Sequence, residues 1–127
     1  MQTFTGRFIN VTLSTVTLLG ATGMALAESS PPSFIASPEI FKVISENERY
    51  RIIEVTLNAG QRSQVYAAPM RGVYFVTDCA LLRHQPDIKS RESFDAAGRA
   101  AVKDAISSQS TENVGKSICK FVTFESK

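Results

Sequence analysis

One stretch of the chain alternates hydrophobic and polar positions with a period of two, the signature of a half-buried strand. From Tyr50 to Leu57, Arg51, Ile53, Val55 and Leu57 share one face, and Tyr50, Ile52, Glu54 and Thr56 share the other. The first face is mostly apolar and is expected to meet the core. Phe41 to Ile44 can form a shorter strand before it, with Ser45-Glu46-Asn47-Glu48 as a polar turn. Asn58-Ala59-Gly60 supplies the next turn, where Gly60 can take a positive φ that other residues resist. Gln61 to Ala68 is short and polar. Pro69 and Gly72 punctuate the chain before the apolar run Val73 to Val76. Ala80 to Arg83 reads as an extension of that hairpin, reversed by Gln85-Pro86-Asp87.

Lys89 to Phe94 is a mostly polar strand, which predicts a surface or edge position. In Phe94 to Ile106 (FDAAGRAAVKDAI) local propensity favours a helix, with Asp95 as a cap, although Gly98 in its first turns costs about 1 kcal/mol relative to alanine. Ser107 to Gly115 is polar and turn-rich, and Ile118 to Glu125 (ICKFVTFE) returns to β-forming residues. Short strands separated by Gly, Pro, Asn and Asp predict an all-β sandwich or barrel, its edges closed by full or partial barrel formation.

Composition changes this picture little. A chain of 127 residues with 43% hydrophobic content is enough for one compact core. Fourteen basic against twelve acidic residues, with no run of like charge, give no electrostatic footprint for nucleic acid.

The first residues do not belong to the predicted domain. Arg7 is the only charge before Glu28, Val11 to Met24 is modestly apolar, and Ala25-Leu26-Ala27 has the small-x-small pattern of a cleavage site. Residues 1–27 therefore read as a secretory signal peptide. The stretch falls short of the ~20 strongly apolar residues that a membrane span needs. The expected product is periplasmic or secreted and keeps no stable membrane anchor after cleavage. Residues 28–39 (ESSPPSFIASPE), rich in Ser and Pro, read as an extended lead-in that packs loosely through Phe34 and Ile35.

Export bears on Cys79 and Cys119. In an oxidising compartment they can pair, for which the chain-entropy model gives roughly 4 kcal/mol. Two separate buried thiols remain the alternative, because distance is not readable from sequence. A catalytic cysteine is the weakest reading. The single histidine, His84, sits beside the Gln85-Pro86-Asp87 turn and forms no paired motif with either cysteine.

Two stretches carry a more specific resemblance. ENERYRIIEVTLNAGQ resembles the opening strand of small single-domain cupins, in which an EN pair precedes a strand and a turn ending in glycine. STENVGKSICKFVTFESK resembles their closing segment, where an ENxG turn leads into a final strand ending in Glu and Lys. Pro69 with VYFVT, the PDIK turn at Pro86 to Lys89 and the AAG turn at Ala96 to Gly98 follow the same order. The resemblance spans roughly Ile40 to Lys127 and implies a cupin-like jelly-roll barrel as one domain, residues 40–127. It also implies strand rather than helix for Arg99 to Ile106.

The departures from the cupin pattern bear on function. The metal motif of that family begins at the turn glycine and places two histidines one residue apart. Here those positions fall on Tyr66 and Ala68. A carboxylate expected a few residues later falls near Gly72 or Val73, and the last histidine falls on Gln109. A divalent transition metal usually takes three or four His, Cys or carboxylate ligands, so the resemblance implies no metal and no cofactor here.

Tyr66 and Gln109, replacing two converging ligands, are the leading candidates to hydrogen-bond a polar small molecule, or else to cross-link the old cavity. Tyr74 is read either as an aromatic wall or as core, and Arg62 either as a contact for an anion at the mouth or as a solvated charge. Ser107, Ser108 and Ser110 read as loop residues, since no histidine is placed to activate them. No catalytic residue is identified. The leading reading is an exported small-molecule-binding domain without catalysis. The alternatives are a metal-independent isomerase or lyase using Tyr66, and a structural role as a homodimer through an edge strand.

Overall fold

A computed structural model describes residues 29–127, so the expected signal peptide lies outside the described residues. Nine strands follow a four-residue helix, α1 (Ser33–Ala36): β1 (Phe41–Glu46), β2 (Tyr50–Leu57), β3 (Tyr66–Ala68), β4 (Arg71–Phe75), β5 (Cys79–Gln85), β6 (Ile88–Asp95), β7 (Ala100–Lys103), β8 (Ile106–Asn113) and β9 (Cys119–Ser126). They form two antiparallel sheets, ordered β1-β2-β9-β4-β7 and β3-β8-β5-β6. This is the all-β jelly roll expected from the spacing of short strands and turns. Among the described residues no helix is long and apolar enough to cross a membrane.

The alternating face of β2 packs inward as its pattern predicts: Ile53, Val55 and Leu57 are fully buried. The two Glu-Asn pairs have mechanical roles at turns. Asn47 Oδ1 accepts the backbone N–H groups of Arg49 and Tyr50 and so shapes the β1–β2 turn. Asn113, also buried, donates through Nδ2 to the carbonyls of Leu57 and Ser117, and its Oδ1 accepts from Gly115 N. That side chain fixes the β8–β9 turn and ties it to the end of β2. A Cβ at Gly115 would lie 3.2 Å from Asn113 Oδ1 and 3.4 Å from Ala80 Cβ, too close for comfort beside a side chain held at three points.

Local propensity fails at four places. Phe94 to Ile106 is not the helix that propensity favours: β7 and the start of β8 fall there, as the resemblance implies for Arg99 to Ile106. Asp95 ends β6 facing inward, Gly98 turns the chain at φ 88°, and β7 then pairs with β4. Long-range pairing outweighs the alanines here, and Asp78 Oδ1 holds the turn by accepting Ala97 N at 2.8 Å. Ser107 to Gly115 is not a loop either: most of it is β8, an inner strand of its sheet, so Ser107, Ser108 and Ser110 are strand residues. Its polar composition hid a strand whose Gln109, Thr111 and Asn113 are buried by bonding to one another's neighbours. Val73–Val76 and Ala80–Arg83 do not form a hairpin, because β4 pairs with β9 and β7 while β5 crosses into the other sheet. The lead-in is not extended throughout. It contains α1, and the fully buried Ser37 accepts Gln64 N on its hydroxyl at 2.8 Å.

Cys79 of β5 and Cys119 of β9 are joined by a disulfide, with Cα atoms 4.9 Å apart. The bond links the two sheets at one end of the barrel, beside Leu57, Phe75 and Leu81, all fully buried. Polarity rises with distance from it. Moving along the inward faces, Cys119, Phe121, Thr123 and Glu125 succeed one another on β9. Phe75, Val73 and Arg71 do so on β4, and Cys79, Leu81 and Arg83 on β5.

Candidate functional site

The register brings the charged ends of four strands to one level: Arg51 of β2 pairs with Glu125 of β9, which pairs with Arg71 of β4, which pairs with Lys103 of β7. Across the barrel stand Arg83 of β5 and its partner Arg91 of β6. Beneath them the interior is nearly full. Tyr66 and Gln109, register partners on β3 and β8, meet inside the barrel, both buried. Tyr66 Oη lies 2.8 Å from Thr111 Oγ1, and Gln109 Nε2 donates to Tyr66 Oη at 3.2 Å. Gln85 Nε2 in turn donates to Gln109 Oε1 at 2.9 Å. The void left around Tyr66, Gln109 and Thr111 is about 20 Å³, room for a water molecule and nothing larger.

Above that floor the barrel opens. A two-sheet barrel has two seams where edge strands face each other, and here they differ. The seam between β1 and β3 is covered by α1, which packs on both strands. The seam between β6 and β7 forms a cleft of about 470 Å³. Its lining includes six cationic side chains, Arg71, Arg83, Lys89, Arg91, Arg99 and Lys103, against two carboxylates, Asp95 and Asp104. Gln85 and Gln109 stand at its floor, and Ile88, Phe94, Val102 and Ile106 give it apolar walls.

The cations are held differently. Arg51 lies under the Phe34 ring, its Cζ 4.5 Å from the ring centroid. Arg71 donates through Nη1 to the carbonyls of Pro69 and Asp104 at 3.1 and 3.0 Å. Arg83 donates to Ser93 Oγ at 2.7 Å, and Ser93 Oγ donates to Asp95 Oδ2 at 3.1 Å. Among the described residues neither Arg83 nor Lys103 has a carboxylate within ion-pair reach, while Asp95 is taken by Arg99 at 3.4 Å. Loss of solvent lowers the pKa of Arg71 and Arg83, and it lowers that of Lys103 with help from the nearby Arg83. Desolvation raises the pKa of Glu125, against the pull of Arg51 and Arg71.

The remaining candidates lie elsewhere. Tyr74 is neither an aromatic wall of the site nor core. It is half-exposed on the outer face of β4, because Arg71, Val73 and Phe75 take the inward positions. Arg62 does not reach the mouth. It is exposed, its backbone forms an isolated antiparallel β-bridge with Glu112, and its Nε donates to Ser110 Oγ at 3.0 Å, on the side of β8 away from Gln109 and Thr111. His84 shares that outer face, with Nε2 3.0 Å from Glu112 Oε1 and Nδ1 3.0 Å from Ser90 Oγ. Among the described residues no three His, Cys, Asp or Glu side chains converge as metal ligands would. Arg71, Arg83 and Lys103 were absent from the sequence-based candidates. Their signal was present: each charge stands in phase with the apolar face of its own strand, two residues from Val73, Leu81 and Ala101.

No protein family model and no curated protein matches the chain. Solved structures do. A cupin domain from Bordetella pertussis Tohama I superposes with a TM-score of 0.63 at 22% identity, covering 80% of this chain and 99% of its own. An RmlC-like cupin family protein with a double-stranded β-helix fold from Methanocaldococcus jannaschii gives 0.56 at 10% identity, covering 68% of this chain and 78% of that one. A double-stranded β-helix protein from Klebsiella pneumoniae gives 0.55 at 17%, covering 68% and 75%. The chain has the cupin fold. At these identities the likeness establishes the fold alone.

Proposed function

We propose that this chain is an exported cupin-fold domain that binds a small molecule, without a metal or other cofactor and without catalysing a reaction on it. One observation carries the reading: an open cleft of about 470 Å³ with amide groups at its floor and apolar walls, in the range of small-molecule sites. The donor set argues against the metal that the fold suggests. At the two histidine-equivalent positions that could converge stand a phenol and an amide already bonded to each other. The void beside them is lined by three cations, Arg71, Arg83 and Lys103, against one carboxylate, Glu125, which disfavours a cation there. An acid–base role for Tyr66 is disfavoured, because its hydroxyl is buried in the Thr111–Gln109 cluster below the cleft. Export is supported by the Ala25-Leu26-Ala27 pattern and by a disulfide of the kind that persists in oxidising compartments.

A screen of neutral and charged fragments by amide NMR tests the binding reading. Shifts clustered on β6, β7 and Gln109 are expected, and a library that perturbs no residue of the cleft would overturn it.

A second reading, homodimer assembly, is favoured by the outer face of the five-stranded sheet. Tyr74, Val102 and Phe124 are exposed there, Tyr50 stacks on Phe124 with ring centroids 5.1 Å apart, and β7 is an edge strand. Sedimentation of the purified chain across a concentration series checks it, with Val102→Lys expected to abolish any dimer. A strict monomer removes this reading.

A further inference from the structure

The open seam is not merely polar; it is built for one sign of charge. The chain as a whole carries a formal net charge of only +2, yet six of its fourteen Lys and Arg side chains line this one cleft. Surface cations are normally dispersed, because crowding them costs repulsion and burying them costs solvation. Arg71 is held in place by two backbone carbonyls, which fix its direction without cancelling its charge. Arg83 spends one donor on Ser93 Oγ, and a guanidinium has five. Lys103, on the edge strand opposite, is half-buried and has no carboxylate within ion-pair reach among the described residues. Three cations therefore converge from β4, β5 and β7 on one space. Of the two carboxylates at its lining, Asp95 pairs with Arg99, and Asp104 forms no ion pair among the described residues, so the cations still outnumber the carboxylates.

We propose that the cleft between β6 and β7 binds a small organic anion, one or two carboxylates on an apolar body, with Arg71, Arg83 and Lys103 receiving the charge. The inference rests on the binding reading above and narrows it to a ligand class. Guanidinium groups match a planar carboxylate with paired donors, which a neutral ligand does not reward. Ile88, Phe94, Val102 and Ile106 meet the apolar body, and Gln85 and Gln109 are placed at the floor to bond its polar substituents. Crowded cations relieved by a bound anion also give the ligand a stabilising effect on the fold.

Calorimetric titration of the full chain with benzoate, phthalate, inorganic phosphate and benzamide tests this, with thermal unfolding as a parallel readout. Phthalate and benzoate are expected to bind and to raise the unfolding temperature, more weakly at high salt. Benzamide, of the same shape without the charge, is expected to do neither. Arg83→Gln and Lys103→Met are each expected to weaken phthalate binding by about tenfold, as loss of a charge-assisted contact does. Lys103 lies on an edge strand, so its variant keeps the test valid if Arg83→Gln fails to fold. Equal binding of benzoate and benzamide, indifferent to both substitutions, would overturn the anion inference and leave the binding reading standing. Phosphate binding more tightly than phthalate would overturn the organic part. No heat and no thermal shift with any anion at millimolar concentration would overturn the proposal outright, whereas the fragment screen alone decides whether the cleft binds anything.

Discussion

The two seams of the barrel answer the same structural problem in opposite ways. At β1 and β3 the gap is sealed: α1 lies across it, Ser37 reaches Gln64 N, Ala67 N donates to Pro31 O at 2.8 Å, and Phe41 packs on Tyr66 with ring centroids 4.9 Å apart. Arg51 on that side is roofed by Phe34. At β6 and β7 no helix covers the gap among the described residues, and Arg83 and Lys103 line it. A sealed seam contributes packing and is expected to be costly to disturb. An open seam where cations outnumber carboxylates is expected to contribute little to stability.

Substitutions can sharpen that contrast. The largest effect is expected at the disulfide both seams share: replacing Cys79 and Cys119 together by serine should lower the unfolding free energy by about 4 kcal/mol, read by urea denaturation. Phe41→Ala, on the sealed side, should cost about 3 kcal/mol through lost burial and the cavity left behind. Ser37→Ala should cost about 1 to 2 kcal/mol, since it leaves the Gln64 N–H without its acceptor. On the open side, Lys103→Gln should stay within about 0.5 kcal/mol of the parent or unfold slightly later. A large loss there would break the comparison.

The smallest effect is a pH dependence. The pKa of Glu125 is held above its ordinary 4.5, so the folded chain keeps a proton that the unfolded chain releases between that value and the raised one. Stability should therefore fall as pH rises through this window, and Glu125→Gln should flatten the fall in a pH series of thermal melts.

Much of the sealed side was legible in the chain. The alternation of β2 identified Ile53, Val55 and Leu57, and the turn residues around Gly60 and Pro86 marked real reversals. The meeting of Tyr66 with Gln109 followed from the positions that cupins give to metal ligands, and register partnership brings them together. The open side was less legible. Tyr74 was drawn toward the site by its strand, although parity on β4 gives the inward places to Arg71 and Val73. The alanine-rich run around Gly98 favours helix locally, and only its pairing with β4 decides otherwise. Charged residues in phase with an apolar face read as ordinary surface when a strand is taken alone. They come together only when the pairing of β4 with β7 levels Arg71 and Lys103 and the other sheet sets Arg83 across from them, a property of register and topology that no single segment contains.

The position of the disulfide has a mechanical consequence. It clamps the two sheets at the end farthest from the charged level, where the two-residue links 69–70 and 104–105 tie the same sheets a second time. The edge strands β6 and β7, unpaired on their cleft-facing sides, would release their amide protons to exchange sooner than β2 and β9, which are hydrogen-bonded on both sides.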